Sequence, residues 1–275
     1  MKKFCRRIGN DILYVLVDEC VFYRFGDIIS EVLRTYTPVY NDINLSVENC
    51  FYIIPEKKKH DYPREQSYVI CEGDENWLFG LINDLDVFSI ETLKCTVIHG
   101  SCVRVRDKNI LIIGERWSGK TTLTHFLVSY LEGKYISDDC VYLKNDRFWG
   151  FCMPLPMRDY YKMRDEVAYG DTVLTVVRDN DDVERTLLIP QEILSFVEKI
   201  DFILFPKYAP NSKGEIRSVS SVTLFKKLIS NVRSYSSMRE MYAAITNLLE
   251  NAQAYSLEYS SSHMACDLMQ RHAIV

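Results

Sequence analysis

Residues 114–121 read Gly-Glu-Arg-Trp-Ser-Gly-Lys-Thr, the spacing G-x-x-x-x-G-K-[ST] of a phosphate-binding loop. Each fixed position meets a requirement of phosphate binding. Gly114 and Gly119 let the backbone curl so that successive N–H groups face phosphate oxygens. Glu115, Arg116, Trp117 and Ser118 form the turn between them. Lys120 brings positive charge to the β- and γ-phosphates of a nucleotide, and the Thr121 hydroxyl is a ligand for Mg2+. Thr122 carries the chain into a helix, whose N-terminal N–H groups and dipole face the same anion. In a chain of this length the pattern arises by chance with a probability on the order of 1%. Trp117 is unusual in such a loop. It either stacks on a base or substrate or packs against a neighbouring helix or domain.

A phosphate loop does not distinguish a kinase from an ATPase. The carboxylate that handles metal or nucleophile does. Asp138 and Asp139 follow the loop by one helix and one turn. The expected arrangement is a strand running back beside 109–113, with both carboxylates near its end. One would serve Mg2+ and the other would accept a proton from an attacking hydroxyl. The plain alternative is an acidic turn before a strand. Asp18-Glu19, after the apolar run 14–17, imitates a metal-binding strand end but lies far upstream of the loop, and is read as a decoy.

The elements around these residues are legible in outline. An apolar strand is expected at 109–113 and an amphipathic helix at 121–131, stopped by Gly133. A strand pair or one bent strand covers 95–105. Before that, the first 90 or so residues read mostly as β, with strands at 12–17, from Cys20 (CVFYRF) and at 50–54. Thr37-Pro38 and Asn41-Asp42 carry turn chemistry. The charged stretch 55–64 is an exposed loop whose lysines either recognise a partner or are simply solvated. Residues 77–88 have near-helical apolar spacing. Toward the C-terminus a strand is expected at 201–205, helices at 222–229 and 238–249, a strand at 255–259 and a last helix.

Composition narrows the function classes. Of 275 residues, 33 are Lys or Arg and 38 Asp or Glu, a formal net charge of −5; 47% are hydrophobic. This is a globular composition, without the clustered basic excess that nucleic-acid binding needs. No apolar run reaches the length of a membrane span, so neither nucleic acid nor membrane is an expected partner. The N-terminal stretch carries Asp11, Asp18 and Glu19 and does not read as a signal peptide. Nine scattered cysteines without a C-x-x-C pair read as reduced thiols, which points to the cytoplasm.

Residues 98–143, IHGSCVRVRDKNILIIGERWSGKTTLTHFLVSYLEGKYISDDCVYL, resemble the core of the HPr kinase/phosphorylase superfamily: His-Gly before a strand, the phosphate loop and its helix, a Gly turn, and paired aspartates. Segments 153–158 and 255–259 extend the resemblance. It implies an α/β fold in which a P-loop nucleotide domain like those of HPr kinase and phosphoenolpyruvate carboxykinase spans 93–275, behind a small β-rich N-terminal domain over 1–92. It implies ATP and Mg2+ as cofactors, Thr121, Asp138 and Asp139 as metal ligands, and Lys120, Asp138, Asp139 and His99 as catalytic groups. His99 matches the family's histidine near the pocket, against the alternative of a half-buried strand histidine. Arg158 is a candidate phosphate clamp. Family members carry Ser then Glu after the loop lysine, where this chain has Thr121-Thr122, and the family's Gly-rich second signature is not found. The chain therefore looks more like the stand-alone kinases found beside peptide-modification systems, some of which phosphorylate a serine of a ribosomally made precursor such as a lasso-peptide precursor.

The expected function is an ATP- and Mg2+-dependent kinase acting on a serine or other hydroxyl of a peptide or small protein. The resemblance also suggests a homo-oligomer. The alternatives are a nucleotide-binding regulator without phosphotransfer and a small-metabolite kinase. A mechanical NTPase is disfavoured because no apolar strand ending in Asp-Glu follows the loop.

Overall fold

The computed structural model describes residues 1–39, 47–71, 74, 76–151, 153–158, 172–178 and 183–275. The chain begins with β1 (Lys2–Ile8) and β2 (Asp11–Val17), turns into α1 (Glu19–Val32), and returns through β3 (Thr37–Pro38), β4 (Cys50–Pro55), β5 (Ser67–Ile70) and α2 (Trp77–Leu93). Next come β6 (Thr96–His99), β7 (Ser101–Val105), β8 (Lys108–Ile112), α3 (Lys120–Ser129), β9 (Lys134–Ser137), β10 (Cys140–Lys144) and β11 (Arg147–Gly150). The remainder is β12 (Leu155–Met157), β13 (Thr172–Arg178), β14 (Glu184–Ile189), β15 (Phe196–Val197), β16 (Phe202–Tyr208), β17 (Glu215–Ser218), α4 (Ser221–Ser230), β18 (Val232–Ser234), α5 (Met238–Asn251), β19 (Gln253–Tyr259) and α6 (Ser262–Arg271).

The protein is a mixed α/β fold, with four sheets among the described residues. Strands β3-β1-β2-β4-β5 form the first, in which β2, β4 and β5 run parallel. The six-stranded sheet has the order β17-β19-β16-β8-β7-β9, with β19, β16 and β8 parallel. An antiparallel sheet, β15-β11-β10-β6-β18, packs against it, and β12-β14-β13 form a small fourth sheet. Alternation along β8 and the residue after it explains the layering. Ile110 and Ile112 join the core under α3 and α6, while Leu111 and Ile113 join the core shared with α4, α5 and the five-stranded sheet of β10 and β11. Among the described residues, no helix is long and apolar enough to cross a membrane.

Three expectations are corrected. The segment beginning at Cys20 is not a strand but the first turns of α1. Asp18 caps the helix, accepting the Cys20 N–H at 3.0 Å, and Val21, Ile29 and Val32 bury one face. Six residues were too short a window to expose that period. Thr37-Pro38 pairs with β1 rather than merely turning the chain. The strand entering the aspartate pair does not run beside 109–113. Because β7 forms a hairpin with β8 and occupies that edge, β9 lies against β7, and β10 belongs to the other large sheet beside β6. Asn41-Asp42 lies outside the described residues.

The first sheet does not pack in isolation. Its core continues through α2 into Val97, Cys140, Tyr142, Trp149 and Phe151. Arg6, buried on β1, donates to the carbonyl oxygens of Phe151 at 2.6 Å and of Gly150. Gly150 is there because β11 passes directly over β9: a Cβ would overlap the Ile136 carbonyl oxygen. Backbone cannot move aside as a side-chain tip can. Gly150→Ala is therefore expected to cost about 3 kcal/mol, read as a lowered urea midpoint. An unchanged midpoint would contradict this packing.

Candidate functional site

The site forms at the carboxyl end of β8, where its parallel neighbours β16 and β19 also end, the usual place for ligands in α/β sheets. The Ile113 N–H donates to Leu204 O at 2.9 Å, and the loop then leaves the sheet. Its return is fixed from below. Ser118 O accepts the Tyr208 N–H at 3.1 Å, and Gly119 O accepts the Tyr259 hydroxyl at 3.3 Å. Gly119 has φ +93°, and a Cβ there would overlap the Tyr259 hydroxyl, so glycine is required. Helix α3 starts at the next residue, its first N–H groups facing the loop.

Lys120 is buried, and its ammonium points into the loop, donating to Gly114 O at 2.7 Å and Glu115 O at 3.2 Å. Burial holds its pKa below the usual lysine value, against the pull of Asp139 and Asp138. The Thr121 hydroxyl donates to Asp138 Oδ2 at 2.9 Å, and the Ser101 hydroxyl donates to Asp138 Oδ1. The loop and the aspartate pair are thus one site. Glu115 and Arg116 are exposed, and Thr122 is half-buried beside Thr121.

The two aspartates occupy a turn between sheets, not a strand. Asp139 has φ +64°, which swings its carboxylate outward, 54% exposed, while Asp138 points inward and is buried. Their environments differ accordingly. Burial first, and the like charge of Asp139 second, push the Asp138 carboxyl up to about 6, although Ser101, Thr121 and Lys120 pull the other way. His99, at the end of β6, lies 3.0 Å by Nδ1 from the Asp139 carbonyl oxygen and 3.9 Å from its carboxylate. A carbonyl only accepts, so Nδ1 carries the proton and Nε2 is left as an acceptor. Burial, with the Arg233 cation, lowers the His99 pKa and keeps the ring neutral at pH 7.

Among the described residues, Trp117 neither enters a core nor packs on a helix. Its ring is 68% exposed at φ +70°, with the Arg158 guanidinium 3.5 Å above its centroid and Arg116 at 5.9 Å. Arg158, just after β12, is thereby held at the loop, where a phosphate clamp would stand. Phosphate binding should disturb this stack. Trp117 emission is expected to change on addition of Mg-ATP, and the change to vanish in Trp117→Phe. Constant emission in the wild type would place the phosphates elsewhere.

Sequence reasoning missed Ser101 and Arg233. Ser101 follows His99-Gly100 directly, so its nearness to the motif was a usable signal. Arg233 comes from β18, paired with β6, and touches Cys140 Sγ at 3.0 Å, one residue from Asp139. Nothing local in the sequence marks it. Asp18, the upstream decoy, caps α1 and pairs with Lys58 at 2.6 Å in the first sheet.

The donor set of Thr121, Asp138 and Asp139 is made of hard oxygens and suits Mg2+. Among the described residues, no cluster of three or more His, Cys, Asp or Glu side chains is placed to hold a metal.

No known family model matches the chain, and no curated protein matches it. Among solved structures it is similar to the Hpr(Ser) kinase/phosphatase from Coxiella burnetii, with 11% identity and a TM-score of 0.32, over 65% of this chain and 96% of that one.

Proposed function

We propose that this chain is a kinase that transfers the γ-phosphoryl group of ATP, with Mg2+, to a hydroxyl of a peptide or small protein. One observation carries the reading: Thr121, at the start of the phosphate-loop helix, donates directly to Asp138, the inner member of a carboxylate pair beside Lys120. The loop backbone and the α3 N-terminus bind the phosphates, and Lys120 neutralises the γ-phosphate as charge builds on it. Thr121, Asp138 and Asp139 would hold Mg2+, which would supply positive charge to offset the charge on the phosphates. Asp139, the exposed carboxylate, takes the acceptor's hydroxyl proton as that oxygen bonds to phosphorus and ADP leaves. His99 supports the turn through the Asp139 carbonyl. Arg233 and Arg158 are the cations that approach the transferred group. The nucleotide domain is 93–275, and the domain at 1–92, with its lysines at 57–59, offers the acceptor's docking surface.

The test is transfer of label from γ-labelled Mg-ATP into heat-treated host extract split into polypeptide and small-molecule fractions. Label in a polypeptide, absent with Lys120→Ala, is the expected result. Label confined to small molecules would make this a metabolite kinase. Nucleotide binding without any transfer would make it a regulator.

A further inference from the structure

We propose that Asp86, on α2 of the N-terminal part, is a positioning residue for the phosphate site, acting by holding the Arg233 guanidinium in place. The proposal rests on the phosphotransfer reading above. Asp86 reaches across from the first sheet's helix into the turn region behind the aspartate pair. Its Oδ1 accepts the Tyr142 hydroxyl at 2.9 Å, and its Oδ2 accepts the Cys140 thiol at 3.2 Å and lies 3.4 Å from Arg233 Nη1. Arg233 Nη1 also contacts Cys140 Sγ at 3.0 Å. One carboxylate therefore gathers groups from β10 and β18, among them Cys140, the residue that follows Asp139.

This is an expensive place for an acid. Burial raises the Asp86 pKa, opposed by the bonds from Cys140 and Tyr142 and by the Arg233 charge. A neutral residue would fill the space at less cost. What an acid adds is a directed grip on a cation. Nη1 makes both contacts, so Nε and Nη2 have no protein partner among the described residues. β18 pairs with β6, the strand that ends at His99, and the His99 N–H donates to Asn231 O at 2.7 Å, so Arg233 stands beside the site and its charge acts on His99, Lys120 and Asp139. Arg233 is 38% exposed, so it can meet a phosphate oxygen without leaving Asp86. Because Arg gains from a fixed fork geometry, a partner that fixes it sharpens its aim at phosphate. The Cys140 thiol is a contact here, not a reactive group, since burial and the adjacent Asp86 carboxylate push its pKa far up.

A purely structural role for Asp86 would also lower activity on mutation, so the test is a double-mutant cycle on the full chain. Asp86→Asn, Arg233→Ala and the double variant are compared with wild type for γ-phosphate transfer, Mg-ATP dissociation constant and Tm. Asp86→Asn is expected to slow transfer about tenfold through misplacement of Arg233. In the Arg233→Ala background it should change the rate less than about twofold, because the group it aims has gone. Asp86→Glu should recover part of the rate. Losses that multiply, or a lowered Tm with the rate unchanged, would overturn the proposal. If wild type binds Mg-ATP but transfers nothing, the phosphotransfer reading alone fails. The same cycle read in the dissociation constant then decides the role of Asp86, non-additive losses supporting it and independent losses overturning it.

Discussion

Asp138→Asn is expected to abolish phosphotransfer and, in the same molecule, to stabilise the fold. The two effects have one cause. Asp138 is buried next to Asp139, and its carboxyl is pushed up to about 6 from the usual carboxylate range of about 4. Between about pH 4 and 6 the native state retains a proton that the unfolded chain has released. Stability therefore falls as pH rises through that window and stays low above it. A shift of about two pH units corresponds to about 3 kcal/mol. Asparagine keeps the shape without the charge, and the Ser101 and Thr121 hydroxyls can rotate to suit it. In the absence of metal and nucleotide, the variant should exceed wild type in stability by about that amount at pH 8 and converge with it near pH 4. The same change replaces the charged inner carboxylate that would hold Mg2+ with a neutral amide, and transfer should fall about a thousandfold or more. Tm of both proteins followed from pH 4 to 8 checks the first half. A Tm difference that does not vary with pH would mean that Asp138 carries no burial penalty.

Lys120→Ala should cost transfer about a thousandfold or more, with little loss of stability. The asymmetry follows from its surroundings. The ammonium is buried enough to lower its pKa, and among the described residues its hydrogen bonds go to two carbonyls of its own loop. Removing a charge that burial disfavours leaves the core of α3 intact, since Leu123, Phe126 and Leu127 carry that packing. Lys120→Arg should not rescue activity, because a longer, planar cation does not fit beneath the loop. Steady-state transfer beside a melting curve checks this. Collapse of the fold in Lys120→Ala would show that the loop is held together by its lysine rather than shaped to receive phosphate.

The parts of the site legible in the sequence are those set by short-range pattern. The loop, β8 and α3 are contiguous, and Asp138 follows after a single turn, so spacing alone brings Lys120, Thr121 and the aspartates into one proposal. Their geometry was not legible. The Ser101–Asp138 bond spans 37 residues, Arg233–Cys140 spans 93 and Arg233–Asp86 spans 147, and no local period encodes such pairs. The misplaced strand has the same origin. The hairpin of β7 on β8 takes the sheet position that a simple strand-helix-strand reading gives to β9. Helix α1 was misread because its apolar stripe appears only over fourteen residues, with Val21 and Ile29 two turns apart. The sequence marks Arg158 as a clamp and Trp117 as stacking on a base or substrate or packing against a neighbouring helix or domain; only the fold shows the two stacked on each other at the loop.

The most direct test of the central claim is 31P NMR of Mg-ATP incubated with the protein and heat-treated host extract. Wild type is expected to convert the γ-phosphate signal into ADP and a new phosphoester signal, and neither Lys120→Ala nor Asp138→Asn should do so. ATP left intact by wild type, or converted only to ADP and inorganic phosphate, would contradict the assignment of this site to phosphotransfer.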